Sequence, residues 1–166
     1  EYYLARPLLD RLTHVRAPLV LDVATGTGRL PLALLELPSF QGRVIGLDLS
    51  RKMLEVAAER LAPYGNRVRL LHHPAENLPF PDNTFDCITI GFGLRNVTDQ
   101  PRALAAMLQA LKPGGRAIIL EFSQPLAPGL KPVYDLYSFK VLPLLGKLVV
   151  NDADSYRYLA ESIRMH

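Results

Sequence analysis

A chain of 166 residues, 49% of them hydrophobic, is long enough to bury one proper core and short for two. Its net charge of +3 comes without dense Lys/Arg runs or a base-stacking motif, which argues against nucleic acid as a partner. The single cysteine, Cys87, lies in an apolar run and fits a reducing, cytoplasmic setting, and neither a signal-peptide pattern nor an apolar run of about eighteen residues is present.

Residues 1–17 carry Tyr2, Tyr3, Leu4, Leu8, Leu9 and Leu12 at helical spacing before Pro18, predicting a helix over the ligand pocket or the sheet edge. Leu19 to Val23 is the short apolar run of a strand covered on both faces. It enters Gly26-Thr27-Gly28, where missing side chains let the backbone turn sharply and a ligand come close. A helix from Arg29 to about Leu37, stopped by Pro38, would aim its first N–H groups back at that turn. A second strand, Val44 to Asp48, ends in a carboxylate twenty residues after Gly28, able to accept hydrogen bonds from two ribose hydroxyls. Ser50 is placed to cap a helix from Arg51 to about Leu61, whose Met53, Leu54, Ala57, Ala58 and Leu61 form a predicted core stripe. Pro63 and Gly65 end it.

Arg67 to Leu71 is a third strand, followed by His72 and His73, which no second metal-type cluster accompanies. A proline-rich loop, Pro74 to Asp86, leads into strand four, Cys87 to Ile90, and Gly91 to Asn96 leads out of it. A helix from Gln100 to about Ala110 stops at Lys112-Pro113-Gly114-Gly115, and Arg116 to Phe122 is the fifth strand. Beyond Gln124 come a loop of prolines, an apolar stretch from Tyr134 to Val150 interrupted by Pro143 and Gly146, and a last helix from Asp154 to Arg164. Two readings of 134–150 stand: a helical lid over a greasy substrate that touches a membrane surface, or packing against the sheet. The pattern predicts one α/β domain with a doubly wound, mainly parallel sheet of five strands: helix 1–17, ligand-binding core 18–123 and helical lid or C-terminal segment 124–166. Ligands of such sheets sit beyond the carboxyl ends of the strands, and here each strand ends in something polar or glycine-rich.

A dinucleotide fingerprint needs a third glycine, and Gly26-x-Gly28 is followed by Pro31 at that place, so the NAD reading fails. Asp22 inside strand one, followed by a small residue and two glycines, is instead similar to the pattern of S-adenosylmethionine-dependent methyltransferases. The runs Ala75 to Asp86, Phe92-Gly93-Leu94-Arg95-Asn96-Val97-Thr98, Leu111 to Arg116 and Leu120 to Ser123 resemble the C-methyltransferases of menaquinone and ubiquinone biosynthesis. Tyr137-Ser138-Phe139 and Ser155 to His166 are more specific to that family.

The resemblance covers about Val20 to His166 and implies a class I, Rossmann-like methyltransferase that uses S-adenosylmethionine. It places cofactor contacts on Asp22, Gly26, Thr27, Gly28, Asp48, Pro74, Ala75 and Gly91. Relatives generally carry Asp or Asn where Pro74 stands, often Asp at Arg29, and often Ser or Ala at Gly91. They also begin earlier and run on past His166 through two more strands, so the resemblance implies a shortened chain. The implied reaction is C-methylation of a polyprenylated quinol, demethylmenaquinol or 2-methoxy-6-polyprenyl-benzoquinol, without a metal. Arg95 and Asn96 are expected at the substrate, with Glu121 and Tyr137 to take a proton or hold the ring. The plainer alternatives are an ion pair of Arg95 with Asp86 or Asp99, a loop-amide bond for Glu121 and a core position for Tyr137. Methylation of another apolar small molecule, and cofactor binding without catalysis, are the rival functions. The implied location is cytoplasmic, with peripheral contact at the inner membrane face.

Overall fold

Leu19–Val23 forms β1, the central strand of the sheet. In this computed structural model, which describes Leu12 and residues 15–121, Val20, Leu21 and Val23 are fully buried. That burial explains why the run is apolar on both faces instead of alternating. The chain divides into two units, Glu1–Leu120 and Glu121–His166, and the sheet belongs to the first. Its other strands are β2 (Arg43–Asp48), β3 (Val68–His72), β4 (Phe85–Gly91) and β5 (Leu111–Leu120). They lie in the order β3-β2-β1-β4-β5, every neighbouring pair parallel.

Three helices connect them: α1 (Arg29–Leu35), α2 (Arg51–Leu61) and α3 (Gln100–Ala110). Side chains alternate along β1, so its two faces feed two cores. Val20 joins Leu34, Phe40, Val44, Ala57, Leu61 and Cys87 under α1 and α2. Leu21 and Val23 join Leu47, Phe85, Ile88, Ile90 and Met107 under α3. Ser50 caps α2 as expected, its hydroxyl accepting the Met53 N–H at 3.3 Å. Asp99 caps α3 in the same way, accepting from Arg102 N–H at 3.1 Å.

Three expectations need correction. The packed stripe of α2 is narrower than predicted: Leu54, Ala57 and Leu61 are buried, while Met53 and Ala58 face outward. The helix touches the sheet along one line, and those two residues fall off it. Strand four begins earlier, because Phe85 is fully buried and pairs with Leu111. Finally, the turn at Lys112–Gly115 does not precede the fifth strand but interrupts its ladder, which passes from Phe85↔Leu111 to Cys87↔Arg116. Asp86 braces this entrance, its Oδ2 accepting the Leu19 N–H at 2.8 Å and its Oδ1 accepting from Lys112 Nζ at 2.8 Å. Of the predicted amino-terminal helix 1–17 only Leu12 and residues 15–17 are described, and these are bends and irregular backbone, not helix. The rest of it and everything from 122 onward lie outside the described residues.

Candidate functional site

Strand order reverses between β1 and β4, the point where open α/β sheets take their ligands. A cleft of about 340 Å³ opens there. Val23 and Ala24 form its floor, Leu47 to Ser50 one wall, His73, Ala75 and Glu76 the next, and Gly93, Asn96 and Val97 the last.

The turn after β1 is built from two left-handed glycines, Gly26 (φ +56°) and Gly28 (φ +73°). A methyl group on Gly28 would lie 2.7 Å from Leu61 Cδ1, so the missing side chain lets α2 pack directly on the turn. The Cβ position of Gly26 has nothing within 4 Å, which leaves room for a ligand to reach the backbone. Arg60 of α2 holds the residue between them: its Nη1 donates to the Thr27 carbonyl and to the Thr27 hydroxyl, the latter at 2.7 Å.

Two carboxylates serve this turn from different environments. Asp48 Oδ2 accepts the Gly26 N–H and its Oδ1 accepts the Ser50 N–H, both at 2.8 Å. Each oxygen keeps lone-pair capacity for a further donor, and the side chain lines the cleft. Asp22 is only 3% exposed and is not a cleft wall. Its Oδ2 accepts from the Thr25 hydroxyl and its Oδ1 from the Thr89 hydroxyl, each at 2.6 Å. Burial pushes its carboxyl up to about 6, with the two hydroxyls opposing and the charge of Asp48 adding to the rise. Asp22 thus ties the glycine turn to β4.

Of the remaining predicted residues, Ala75 and Asn96 line the cleft, as Asp48 does. Pro74 is half-buried, and its carbonyl lies 3.1 Å from His73 Nδ1. Gly91 ends β4, and its Cβ position is open. Arg95 sits half-buried in the short 3-10 turn Leu94–Asn96. Asp86, one ion-pair partner considered for it, lies near the other end of β4, roughly 16 Å from Gly91 at the rise of an extended strand, where Lys112 engages it. Glu121 directly follows β5. Tyr137 falls outside the described residues.

Four residues escaped the sequence reading. Ala24 adopts φ +53°, a strained value for a residue with a side chain. A methyl group on Gly93 would lie 2.4 Å from the Ala24 Cβ. Glu76 Oε1 accepts the backbone N–H groups of Thr98 at 3.1 Å and Asp99 at 3.3 Å. Arg60, the fourth, carried no signal beyond lying on α2. Glu76 and Gly93 did sit inside runs already singled out.

The sequence profile of the ubiE/COQ5 methyltransferase family matches residues 6–166. A ubiquinone/menaquinone biosynthesis C-methyltransferase UbiE of Marinomonas sp. (strain MWYL1) is 57% identical over 149 residues, which are 89% of this chain and 59% of that protein. The UbiE of Francisella philomiragia is 55% identical over 149 residues, 89% of this chain and 60% of its own length. The chain therefore spans 59–60% of these curated relatives. A SAM dependent methyltransferase structure from Aquifex aeolicus matches with a TM-score of 0.64, covering 90% of this chain and 78% of that one at 24% identity, a likeness of fold. The parallel sheet is the Rossmann-like sheet of class I methyltransferases.

Proposed function

The chain belongs to the ubiE/COQ5 methyltransferase family, and from that premise we propose that it binds S-adenosylmethionine in the cleft and directs the methyl group to a ring carbon of a polyprenylated quinol. The quinol is demethylmenaquinol or a 2-methoxy-6-polyprenyl-benzoquinol. The observation that carries the reading is the Asp48 carboxylate at the end of β2. Held by the Gly26 and Ser50 N–H groups, it keeps acceptor capacity on both oxygens at the cleft wall. Such a carboxylate suits the adjacent hydroxyls of a ribose. Open space over Gly26 and the buried, apolar Ala75 suit the rest of a nucleoside ligand.

When bound, S-adenosylmethionine would supply a methyl group on a sulfonium sulfur for the ring carbon to take with its own electron pair; the carbon–sulfur pair would stay on sulfur, and the ring carbon's hydrogen would leave as a proton to restore the aromatic quinol. The protein's largest contribution is alignment, worth up to roughly 7–11 kcal/mol in ideal cases. Asp48, Gly26, Thr27, Gly28, Pro74, Ala75 and Gly91 are assigned to the cofactor side, with Asp22 acting through Thr25. The Arg95 guanidinium is assigned to stabilise a developing phenolate oxygen. Asn96 orients the same ring from the cleft wall. Glu121 and Tyr137 are assigned to the phenolic proton and the ring. A polyprenyl tail brings the reaction to a bilayer surface, so peripheral contact with the inner membrane face belongs to the proposal; among the described residues no helix is long and apolar enough to cross a membrane.

The test is a thermal-shift titration with S-adenosylhomocysteine, using NADH as control, followed by product analysis with the two quinols. Linkage predicts about 2.7 kcal/mol of stabilisation at a hundredfold excess over the dissociation constant. A shift with S-adenosylhomocysteine alone and a methylated quinol support the reading. No shift, or a shift with NADH alone, overturns it.

A further inference from the structure

We propose that Glu76 is a positioning residue that couples the cofactor cleft to the segment carrying Arg95 and Asn96, an inference that rests on the methyltransferase reading above. Residues 93–99 are joined to the cofactor side at two points. The first is steric: Gly93 packs against Ala24 so closely that no side chain fits between them. The second is Glu76. One of its carboxylate oxygens takes two consecutive backbone N–H groups, those of Thr98 and Asp99. A single acceptor shared by two adjacent peptide groups fixes the direction of that backbone, and an ionised acceptor makes both bonds stronger than neutral ones.

Glu76 is also among the residues that line the ligand cleft. Its loop is anchored upstream by the His73 N–H, which donates to the Asp48 carbonyl at 3.2 Å. On the far side, Asp99 caps α3 through Arg102, and Ala103 and Met107 seat α3 in the core. A path of hydrogen bonds and chain therefore runs from Asp48 through His73 and Glu76 to Thr98 and Asp99, two and three residues beyond Asn96, which lines the same cleft. A ligand that settles on Asp48 and Ala75 orders the loop bearing Glu76, and Glu76 transmits that order to residues 96–99. Cofactor binding thereby prepares the substrate side of the site. An ordinary structural bond would stabilise the fold without this transmission.

Amide hydrogen exchange on the full chain, with and without S-adenosylhomocysteine, separates the two. In the unmodified protein the ligand should slow exchange at residues 96–99 roughly fivefold or more, the low end of common site-to-site couplings. Glu76→Ala should still bind the ligand, more tightly than Asp48→Asn, yet lose that gain in protection. Glu76→Gln, which keeps a carbonyl acceptor at the same reach, should retain most of it. Glu76→Asp, which withdraws the oxygen by one methylene, should behave like Glu76→Ala and carries the test if the alanine variant does not fold. Met107→Ala loosens α3 without touching the carboxylate and should lower the melting temperature while the ligand-induced gain persists. Equal gains in Glu76→Asp and the unmodified protein overturn the coupling. So does a collapse of affinity in Glu76→Asp to the level of Asp48→Asn, which would make Glu76 a plain ligand contact. Failure of the unmodified protein to bind S-adenosylhomocysteine overturns the cofactor reading itself, and the coupling with it.

Discussion

Gly93 and Ala24 meet face to face across the switch point of the sheet, with room for only one Cβ between them: a second would lie 2.4 Å from the first. This contact joins the turn after β1 to the segment after β4. Gly93→Ala should displace one or the other, with an overpacking cost of about 1–3 kcal/mol in urea unfolding. Because both residues line the cleft, S-adenosylhomocysteine affinity measured by calorimetry should fall about tenfold or more, consistent with a loss of at least 1.4 kcal/mol.

Asp48→Asn tests the carboxylate. In the folded protein its two oxygens each face a backbone N–H. An amide replaces one oxygen with a donor, so one N–H is left facing another donor. The N–H left unpaired lowers the stability of free and bound protein alike, while losing the charge-assisted acceptor offered to the ribose should cost about 1.5–3 kcal/mol of ligand binding, a loss of roughly ten- to a hundredfold or slightly more. An unchanged affinity in calorimetry would remove Asp48 from the site.

Asp22 makes stability depend on pH with a sign opposite to that of a salt-bridged carboxylate. Its folded value of about 6 exceeds the ordinary 3.8, chiefly through burial. Below pH 4 the group is protonated in both folded and unfolded chains, and above 6 it is ionised in both. Between them the folded state holds the extra proton, so the contribution of Asp22 is fully present below about 4 and is lost as pH rises through about 6. Asp22→Asn keeps hydrogen bonds to both rotatable threonine hydroxyls and carries no charge. The stability of the unmodified protein relative to this variant should therefore fall by ~3 kcal/mol between pH 3 and pH 7, as read from urea unfolding of both proteins across that range.

Arg60 should be coupled to Thr27. Arg60→Met removes the charged donor to the Thr27 carbonyl and hydroxyl and should cost about 1–2 kcal/mol of stability. Thr27→Val removes only the hydroxyl acceptor and should cost less. A double-mutant cycle on unfolding free energies should return a coupling of about 0.5–1.5 kcal/mol; strict additivity would mean that the guanidinium does not hold the turn.

The sequence by itself determined the alternation of strands and helices, the parallel sheet and the edge on which the site lies. Those features follow from local periodicity, glycines and caps, which each segment carries within itself. Even there the pattern overreached: Met53 and Ala58 share helical spacing with Leu54 and Leu61, and only contact with the sheet separates a buried line from its exposed flank. The turn at Lys112–Gly115 is written in its glycines, but its place inside the β5 ladder depends on Phe85. Tertiary structure alone decided what each of these residues contacts. Asp22 and Asp48 look alike in sequence, each an acid near the end of an apolar strand. Asp22 is one residue short of the end of β1 and meets two hydroxyls in the interior, whereas Asp48 is the last residue of β2 and faces the cleft. Gly93 and Ala24, or Glu76 and Asp99, are brought together only when strands from distant parts of the chain lie side by side. No local pattern encodes such distances, because they are set by the packing of the sheet between them.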